Sequence, residues 1–419
     1  MRITLFSAGS RGDIQPCQVL GRALVQAGVA LRFAAPENFA GFIQAEGLDF
    51  LPLRGDIQQI MAGQAARDLM ERGGGNPLRT LRGMRALIEP VATVMAEDLY
   101  AGCEGADGLV ALAVFAPLAH TVAQARRIPL LLVEPTPLLP TRAFPAPGWP
   151  LQKNLGGLHN RFSGWAMLQI IWQWYAPTVH RLRRKWGLPR FSGADFPRLL
   201  RSTPLLGAYS PAVLPRPADW PPGAHITGYW LPAADPDWQP PADLRAFLDS
   251  GEPPVYIGFG SMAGSRPEQM AALVIDALAR CGRRGVLMTG WGGLRLPSTA
   301  EHVFALESAP HAWLFPHMAA VVHHGGAGTT AEGIRAGVPS ILIPHAFDQT
   351  FWGERVKALG VGPAPIAQRD LTAPRLAQAI HTALTDEPMR RRAQALGGLL
   401  RAEDGPARAA RLILDLLAR

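Results

Sequence analysis

Cysteine is scarce in this sequence, and the spacing of the few cysteines excludes a zinc site built on them. The 419 residues include three cysteines, Cys17, Cys103 and Cys281, which lie far apart in the chain. The sequence contains no CxxC pair and no Cys/His spacing typical of zinc binding. We therefore expect three free thiols in a reducing compartment.

Long hydrophobic runs are also lacking. The longest, residues 109–119, is about half as long as a membrane-spanning helix needs to be. The apolar run within "MRITLFSAGS", at residues 1–10, is too short for a signal peptide. We therefore expect a soluble cytoplasmic protein, and we keep peripheral attachment to the inner face of the membrane as an alternative.

No block of like charge and no internal repeat interrupts the chain. Charged residues make up 18% and hydrophobic residues 48%, which is the balance of a globular protein. The net charge is +8, with basic clusters at residues 181–185 and 390–392. Because no motif combines basic with aromatic residues, we expect no nucleic-acid partner. A solvated surface, a nucleotide phosphate and an anionic membrane are the three interpretations of the positive charge.

The sequence does contain an alternation of short apolar runs with helical patterns. The predicted strands are residues 2–7, 29–36, 48–53, 107–114, 129–135, 253–260, 284–290, 302–308, 319–324 and 339–344. Strands that alternate with helices are typical of doubly wound α/β domains. Because 419 residues exceed what one hydrophobic core usually supports, we predict two such domains.

A proline-rich stretch, residues 211–241, separates the two halves of the chain. Its composition favours a stiff, extended linker. We predict an N-terminal domain over residues 1–215, a linker over 216–241, a C-terminal domain over 242–395 and a final helix over 396–419. The ligand site of two such domains is expected in the cleft between them, at the carboxyl ends of the strands.

A tryptophan-rich stretch, residues 165–187, predicts one long helix before the linker. Its tryptophans are Trp165, Trp172, Trp174 and Trp186. This helix either packs on its domain, or forms the wall of an apolar acceptor pocket or a lipid-facing surface with basic ends. These interpretations are not exclusive, and we take Phe144 and Trp172 as candidates for the acceptor pocket.

The stretch "VVHHGGAGTTAEG", residues 321–333, could hold a metal or a phosphate. Adjacent histidines on a strand point to opposite faces, and no HExxH or other ligand set lies nearby, so we expect no metal site. A strand that runs through glycines into a helix near Thr329 offers free backbone N–H groups and the positive end of the helix dipole. We predict a phosphate site to which His324 and Thr329 add donors, and which the glycine turn at residues 258–262 also reaches.

The block of residues 308–362, which includes this stretch, resembles the nucleotide-sugar-binding signature of family 1 glycosyltransferases, the UDP-glycosyltransferase superfamily. The N-terminal elements "GSRGDIQP" and "TRAFPAP" resemble those of sterol glucosyltransferases, and "GSRGD" also resembles glycopeptide-antibiotic glycosyltransferases. The resemblance covers both domains. It implies a GT-B fold, with two Rossmann-like doubly wound domains facing a central cleft. The donor would bind in the C-terminal domain and the acceptor in the N-terminal domain, to which the last helix would cross back.

The resemblance implies that the glycine loop binds the donor diphosphate. His324 would contact the diphosphate, and Ser261 would touch a phosphate. Further backbone or hydroxyl donors would come from Gly326, Gly328 and Thr329. His323 is expected to point away from the ligand and to pack or bond locally.

The same resemblance assigns the ribose, the sugar and the base to other side chains. Glu332 would accept from the ribose hydroxyls, and Asp348 and Gln349 would hold the hydroxyls of the transferred sugar. Either Trp291 or Trp313 would lie near the uracil or thymine. The alternatives are a solvated first-turn carboxylate for Glu332 and a helix N-cap for Asp348.

Asp13 is the predicted catalytic base. The loop after the first strand has no histidine, and Asp13 stands where the sterol and antibiotic enzymes carry an aspartate proposed as the base. The loop residues expected near donor and acceptor are Gly9, Ser10, Arg11 and Gly12. Asp13 is also typical of an N-cap, and a capped carboxylate keeps one free oxygen. An apolar cleft would raise its pKa, and His120 is a second candidate for the base.

The mechanism expected from these residues is a single inverting displacement, with no metal and no cofactor beyond the nucleotide sugar. Asp13 takes the acceptor proton, while the glycine-loop helix and His324 stabilise the leaving diphosphate. The DxD string at residues 235–237 lies in the proline-rich linker and not after a strand, so we interpret it as a loop. We expect UDP-glucose as donor, with a dTDP-deoxysugar as the alternative. The expected acceptor is a hydrophobic molecule of sterol, terpenoid, polyketide or phenol type.

Other function classes stay open, and the expected oligomeric state is a monomer or a homodimer. An oxidoreductase with a dinucleotide is disfavoured because the first turn is "SAGSRGD" and not GxGxxG. A catalytically silent homologue that activates a partner enzyme is disfavoured by the presence of Asp13, Asp348 and Gln349. A nucleotide-sugar epimerase shares the fold and is the remaining alternative.

Overall fold

The computed structural model describes residues 1–55, 60, 63, 77–235, 237–259, 267–290 and 302–418. The chain divides into two compact units, Met1–Trp230 with Asp404–Arg419, and Leu231–Glu403. The stretch predicted to be a linker, residues 216–241, is divided between the two units. No helix within the described ranges is long and apolar enough to cross a membrane.

Strands and helices alternate along both units. The strands are β1 (Arg2–Phe6), β2 (Ala30–Pro36), β3 (Asp49–Leu53), β4 (Gly108–Leu112), β5 (Leu130–Glu134), β6 (Leu205–Gly207), β7 (Ala224–Ile226), β8 (Val255–Gly258), β9 (Gly285–Met288), β10 (Val303–Leu306), β11 (Ala320–His323) and β12 (Ser340–Leu342). The helices are α1 (Arg11–Gln26), α2 (Ala40–Gln44), α3 (Pro77–Gly102), α4 (Ala116–Arg126), α5 (Gly157–Lys185), α6 (Asp195–Ser202), α7 (Ala242–Asp249), α8 (Pro267–Arg280), α9 (His311–Leu314), α10 (Ala327–Ala336), α11 (Gln349–Leu359), α12 (Ala373–Thr385), α13 (Glu387–Arg401) and α14 (Gly405–Leu417).

The first unit is built on a parallel sheet with the strand order β3-β2-β1-β4-β5-β6-β7. Ile3 of β1 pairs with Leu31 on one side and with Gly108 on the other. β4 is buried over its whole length, as expected for a parallel strand with helices on both faces of the sheet. β6 and β7 are missing from the predicted strands, because three residues are too few to show the apolar periodicity of a strand.

The C-terminal residues complete the first unit. The final helix predicted over residues 396–419 is divided into the end of α13 and the separate helix α14. Pro406 lies in the first turn of α14, where a residue without an N–H starts a helix but cannot continue one. Asp404 caps this start by accepting from the backbone N–H of Ala407 at 3.2 Å. α14 then packs against α1, so the chain ends beside the sheet of the first unit.

The second unit has a parallel sheet with the strand order β10-β9-β8-β11-β12. Val255 and Ile257 of β8 pack with Val322 of β11 in a core that α8 and α12 cover. In both sheets the strand order reverses beside the first strand of the unit, between β1 and β4 and between β8 and β11. Loops that leave the strands at such a reversal form the ligand site of doubly wound folds. The predicted α/β class with two doubly wound sheets is confirmed.

Candidate functional site

The glycine turn after β11 leaves the N-terminus of α10 open. α10 begins at Ala327 with Gly326 as its N-cap, and none of the described side chains caps it. Its first turn holds no acidic residue. A Cβ at Gly328 would meet none of the described atoms within 4 Å. The first N–H groups of this helix therefore face a space that an anion can occupy.

The two histidines of the turn have different surroundings. His323 is fully buried, and its Nδ1 accepts from the backbone N–H of Gly325 at 3.0 Å. The His324 ring lies against Gly326, where a Cβ would be 2.7 Å from His324 Nε2. Each imidazole has one buried nitrogen without a hydrogen-bond partner among the described residues, Nε2 in His323 and Nδ1 in His324. His323 is bonded to the turn through its Nδ1, whereas the His324 nitrogen beside the helix start is Nε2.

Burial keeps both histidines neutral at pH 7. Burial, and to a smaller extent the nearby His345, lower the pKa of His324 to about 4. Burial also brings the pKa of His323 well below its ordinary value. A neutral imidazole has one N–H donor and one acceptor nitrogen. His324 can therefore offer a hydrogen bond to a ligand oxygen without first taking up a proton.

Glu332 lies inside α10 and is 6% exposed. It forms an ion pair with Arg335 at 2.7 Å. Burial raises the pKa of Glu332 to about 7, and the Arg335 charge acts in the opposite direction. The alternative of a solvated first-turn carboxylate is wrong, because the side chain is buried and lies beyond the first turn of the helix.

Asp348 and Gln349 lie on a turn next to the glycine turn. A Cβ at Gly325 would be 3.1 Å from the backbone oxygen of Gln349. Asp348 precedes α11 but makes no side-chain cap; its Oδ2 accepts from Trp352 Nε1 at 2.8 Å. The amide oxygen of Gln349 accepts from the N–H groups of His345 at 2.7 Å and Ala346 at 3.1 Å. The structure therefore brings together the glycine turn and the two residues predicted to hold the sugar.

Two predicted donor contacts lie outside the described residues: Ser261, predicted to touch a phosphate, and Trp291, a candidate beside the base. Trp313, on α9, packs with Trp238 at 4.8 Å between ring centroids and stacks on His317 at 4.4 Å. Its role beside a base stays a prediction.

The turn after β1 in the first unit holds the carboxylate of Asp13. Asp13 Oδ2 accepts from the backbone N–H of Ser10 at 2.8 Å and from Ser10 Oγ at 2.9 Å. Ser7 Oγ donates to the backbone oxygen of Asp13 at 3.0 Å. Gly9 has a φ of +117°, and a Cβ there would lie 2.5 Å from Asp13 Oδ2. This position requires glycine both for its backbone angle and for the close approach of the carboxylate.

A cluster of aromatic side chains includes one residue, Tyr175, that lies close enough to Asp13 to feel its charge. The Phe6 and Phe115 ring centroids are 5.2 Å apart, and Phe115 lies 5.9 Å from Tyr175. Tyr175 is buried, and burial followed by the charge of Asp13 raises its pKa. Tyr175 is absent from the predicted site because nothing in the tryptophan-rich helix distinguishes it from a packing residue. Arg11 turns away from this group, with its guanidinium over the Phe42 ring.

His120, the second candidate for the base, packs on α4 against Phe191 with 5.5 Å between ring centroids. Burial and then the charge of Arg183 lower its pKa to about 4. Its described contacts belong to the packing of α4, and none of them joins it to the Asp13 turn.

The two acceptor-pocket candidates occupy different places. Phe144 lines a small, mostly apolar cavity together with Pro140, Ala146 and Gly164. Trp172 is buried against Phe191, 5.5 Å between ring centroids, and does not line this cavity. Phe144 and Trp172 therefore do not line the same described cavity, and their part in acceptor binding stays a prediction.

The DxD string and the three cysteines have the structures expected of a loop and of free thiols. Asp235 accepts from the N–H of Asp237 at 2.9 Å in an exposed turn, as predicted for a loop. Cys17, Cys103 and Cys281 are free thiols. Among the residues that the structure covers, no group of three His, Cys, Asp or Glu side chains is arranged to hold a metal.

The sequence is similar to known proteins over nearly its whole length. Residues 295–416 match the family described as "Erythromycin biosynthesis protein CIII-like, C-terminal domain". O-mycaminosyltylonolide 6-deoxyallosyltransferase of Streptomyces fradiae is 36% identical over 418 residues, which cover 99% of this chain and 97% of that protein. Sterol 3-beta-glucosyltransferase UGT80A2 of Arabidopsis thaliana is 34% identical over 97% of this chain. The chain spans 64% of the length of that plant protein and 30% of a sterol 3-beta-glucosyltransferase of Aspergillus fumigatus.

Solved glycosyltransferases share the fold. The kitacinnamycin glycosyltransferase superposes with a TM-score of 0.74 at 22% identity, covering 99% of both chains. The calicheamicin glycosyltransferase CalG4 gives a TM-score of 0.73 at 18% identity, covering 100% of this chain and 99% of that one. The two parallel sheets thus form the GT-B fold of glycosyltransferases, as predicted. By its similarity to the Streptomyces enzyme over nearly the full length of both, the chain belongs to family 1, the UDP-glycosyltransferase superfamily.

Proposed function

We propose that this protein transfers a sugar from a nucleotide sugar to a hydroxyl of a hydrophobic small molecule, with inversion at the anomeric carbon. The observation that carries the proposal is the open start of α10, with His324 Nε2 beside it and Asp348 on the adjoining turn. The helix start and the histidine can bind an anion and stabilise it as a leaving group, and the neighbouring carboxylate can bind sugar hydroxyls.

The diphosphate of the donor occupies the start of α10. Uncapped N–H groups and the positive helix end attract an anion, and Gly328 leaves it room. His324 Nε2, which lies beside Gly326, can donate its N–H to a phosphate oxygen in the tautomer that leaves Nδ1 unprotonated. The same groups stabilise the charge that grows on the diphosphate as it leaves.

The sugar and ribose bind at the neighbouring side chains. The carboxylate of Asp348 and the amide of Gln349 hold sugar hydroxyls, and Glu332 accepts from the ribose. One relative is named a glucosyltransferase and another a deoxyallosyltransferase. A solved glycosyltransferase of the same fold was crystallised in complex with dTDP. We propose UDP-glucose as the donor, with a dTDP-deoxysugar as the second candidate.

Asp13 is the proposed base. The two hydrogen bonds from Ser10 fix the direction of its carboxylate. The acceptor oxygen bonds to the anomeric carbon, the bond from that carbon to the diphosphate breaks, and the acceptor proton passes to Asp13. A carboxylate can take this proton late, because the attacking hydroxyl becomes acidic as its bond forms.

The proposed acceptor is a sterol, terpenoid, polyketide or phenol. The apolar cavity beside Phe144 and the aromatic group of Phe6, Phe115 and Tyr175 support a hydrophobic acceptor bound to the first unit.

The free thiols support a reducing, cytoplasmic environment, where the three cysteines stay unoxidised.

A screen of nucleotide sugars by thermal shift, followed by mass spectrometry of products from a panel of hydrophobic alcohols, tests the proposal. We expect UDP-glucose or a dTDP-sugar to raise the melting temperature, and an acceptor to gain the mass of one sugar. Conversion of the nucleotide sugar to its epimer without any glycosylated acceptor would favour the epimerase. Donor binding without turnover on any acceptor would favour a silent homologue.

A further inference from the structure

We propose that an apolar patch on the first unit docks this protein on an anionic membrane surface. The apolar patch is defined as Leu151, Leu155, Leu158, Phe162 and Trp165, at the loop before α5 and on its first turns. This inference goes beyond sugar transfer and does not depend on it.

The patch brings together exposed apolar side chains, which usually lie apart from one another on the surface of a soluble protein. Leu158 is 82% exposed and Phe162 is 54% exposed. Leu158, Phe162 and Trp165 follow one another at helical spacing, so they share one face of α5. Phe162 lies 6.0 Å from Trp165 and 6.1 Å from Trp149 between ring centroids. Other large exposed apolar residues are dispersed over the described chain, at Met1, Val25, Phe347 and Leu399.

The chain around the patch carries charge of one sign only. From residue 135 to residue 194 the sequence has no Asp or Glu. Its basic residues are Arg142, Lys153, Arg161, Arg181, Arg183, Arg184, Lys185 and Arg190.

The basic residues nearest the patch in sequence are the unpaired ones. Arg181 and Lys185, at the far end of α5, pair with Glu89 and Glu97 on α3. Lys153 and Arg161 form no ion pair with a described residue, and both are exposed. An apolar face bordered by unpaired cations complements a surface of anionic lipid headgroups.

A carboxylate from another segment lies close to this region and reduces its charge. Asp219 accepts from Thr141 Oγ1 at 2.6 Å and from the backbone N–H of Arg142 at 2.9 Å, and its charge also acts on Arg161. Lys153 has no such partner among the described residues, so the border of the patch stays positive.

The exposed apolar side chains stand on a firmly held loop. Asn160 is buried and donates to the backbone oxygen of Arg142 and to Asn154 Oδ1, each at 2.9 Å. Ser163 Oγ accepts from the N–H of Ala146 at 2.8 Å. Gly164 packs so closely on Pro140 that a Cβ would lie 2.8 Å from its Cα. Because these contacts fix the loop, the patch cannot hide its apolar side chains by collapsing locally.

The same loop lines the cavity beside Phe144, since Ala146, Asn160 and Gly164 belong to both. A bilayer that covers the patch would therefore adjoin this cavity. If the proposed function holds, a hydrophobic acceptor could pass from lipid to enzyme without crossing water.

A membrane fits the patch better than a second copy of the chain does. Two copies joined through the same patch by a two-fold axis would bring their Lys153 and Arg161 side chains toward one another. Like charges at such an interface oppose association. Anionic lipid headgroups instead neutralise these cations.

Vesicle flotation of the full chain tests the proposal. We expect binding to vesicles of phosphatidylcholine with phosphatidylglycerol, weak binding to phosphatidylcholine alone, and loss of binding at high salt. The double variant Leu158→Ser with Phe162→Ser should lower the partition coefficient at least about tenfold. Lys153→Gln with Arg161→Gln should lower binding to the anionic vesicles and weaken its salt dependence.

Matched controls lie on the second unit. Leu399→Ser removes an apolar side chain that is 58% exposed, and Arg369→Gln removes a cation whose side chain is 88% exposed. Both should bind vesicles like the wild type, and the thermal shift caused by nucleotide sugar should be unchanged in all variants. That second measurement separates a failure of docking from a failure of the proposed function.

Equal binding of the wild type to both kinds of vesicle, or equal binding by the patch variants and the wild type, would overturn the proposal. So would a wild-type dimer in size-exclusion chromatography that Leu158→Ser converts to monomer, because the patch would then be an interface between copies.

Discussion

The turn after β1 and the turn after β11 occupy comparable places in their sheets but treat the following helix differently. Each turn contains glycine and leaves a strand where the strand order reverses. In the first unit, Asp13 bends back onto Ser10 at the start of α1. In the second unit, Gly326 precedes α10, and no described side chain fills the helix end.

The comparison teaches how one piece of backbone can serve two kinds of chemistry. Both helix ends have free N–H groups and a positive dipole end. The start of α1 is supplied with its own carboxylate, that of Asp13, which Ser10 holds in place and which we propose as the base. The start of α10 is left empty and flanked by glycine, so it can take the anion of a ligand.

Asp13→Ala should lower the rate of sugar transfer by about 10³-fold, because general base catalysis typically contributes 10² to 10⁴. Nucleotide-sugar affinity should stay at the wild-type value, since the donor groups lie on the other unit. The transfer rate is measured with the acceptor that mass spectrometry has identified. The donor affinity is measured by calorimetric titration.

Asp13→Asn is the matched control for the fold. Its amide oxygen can still accept from Ser10, so the melting temperature should stay closer to wild type than that of Asp13→Ala, which loses a cap worth about 1 kcal/mol. Transfer by Asp13→Asn at nearly the wild-type rate would contradict the assignment of the base.

His324→Ala should weaken nucleotide-sugar binding by about 10- to 100-fold, which corresponds to one charge-assisted hydrogen bond of about 1.5 to 3 kcal/mol.

His323→Ala, at the neighbouring histidine, is the matched control for donor binding. His323→Ala removes the hydrogen bond to Gly325 and a fully buried ring, so its main effect should be a lower melting temperature. Calorimetry and thermal unfolding separate the two variants. If His323→Ala lost more donor affinity than His324→Ala, the roles of the two histidines would have to be exchanged.

Gly328→Ala and Gly9→Ala should have opposite effects on stability. A Cβ at Gly328 meets open space inside a helix, so alanine should preserve or increase stability, by up to about 1 kcal/mol. It should nevertheless reduce donor affinity severalfold, since the methyl group enters the proposed phosphate space. At Gly9 the methyl group would collide with Asp13 Oδ2 and the backbone angle is unfavourable, so stability should fall. Unchanged donor affinity in Gly328→Ala would move the phosphate away from this helix end.

The smallest expected effect is proton uptake on donor binding. Burial holds the pKa of free His324 at about 4, and an adjacent diphosphate should raise it. The complex should then bind more protons than the free protein at pH 5, and affinity should rise as the pH falls through the raised pKa. Calorimetry with a nucleotide sugar in two buffers of different ionisation enthalpy measures this uptake. His324→Ala should abolish it, and persistent uptake in that variant would assign the proton to another group.

Much of the fold could be predicted from the sequence because it depends on local patterns. The longer strands show continuous apolar runs, and both predicted domains have their doubly wound sheet. β6 and β7 could not be predicted, because strands of three residues are too short to show a hydrophobic periodicity. The position of α14 depended on a long-range contact with α1, although Pro406 marks its start.

The candidate site could be predicted only as a set of residue types. No packing partner of Trp172 is evident from the sequence, whereas the structure buries it against Phe191. Tyr175 and Asp13 are far apart in the chain, and only the packing of α5 brings Tyr175 within reach of the Asp13 charge. Glu332 carries a partner and a raised pKa that depend on how deeply α10 is buried.

The sequence by itself determined which chemical groups stand at the ends of which strands: the glycines, the two histidines, the Asp348–Gln349 pair and Asp13. These follow from order along the chain and from short-range backbone geometry. Tertiary packing, in contrast, determines that His323 Nδ1 bonds to its own turn while His324 Nε2 lies beside Gly326, and that the face carrying Leu158 stays uncovered. Burial depends on segments far apart in the chain, and it controls the pKa values and the hydrogen bonds that remain to be made.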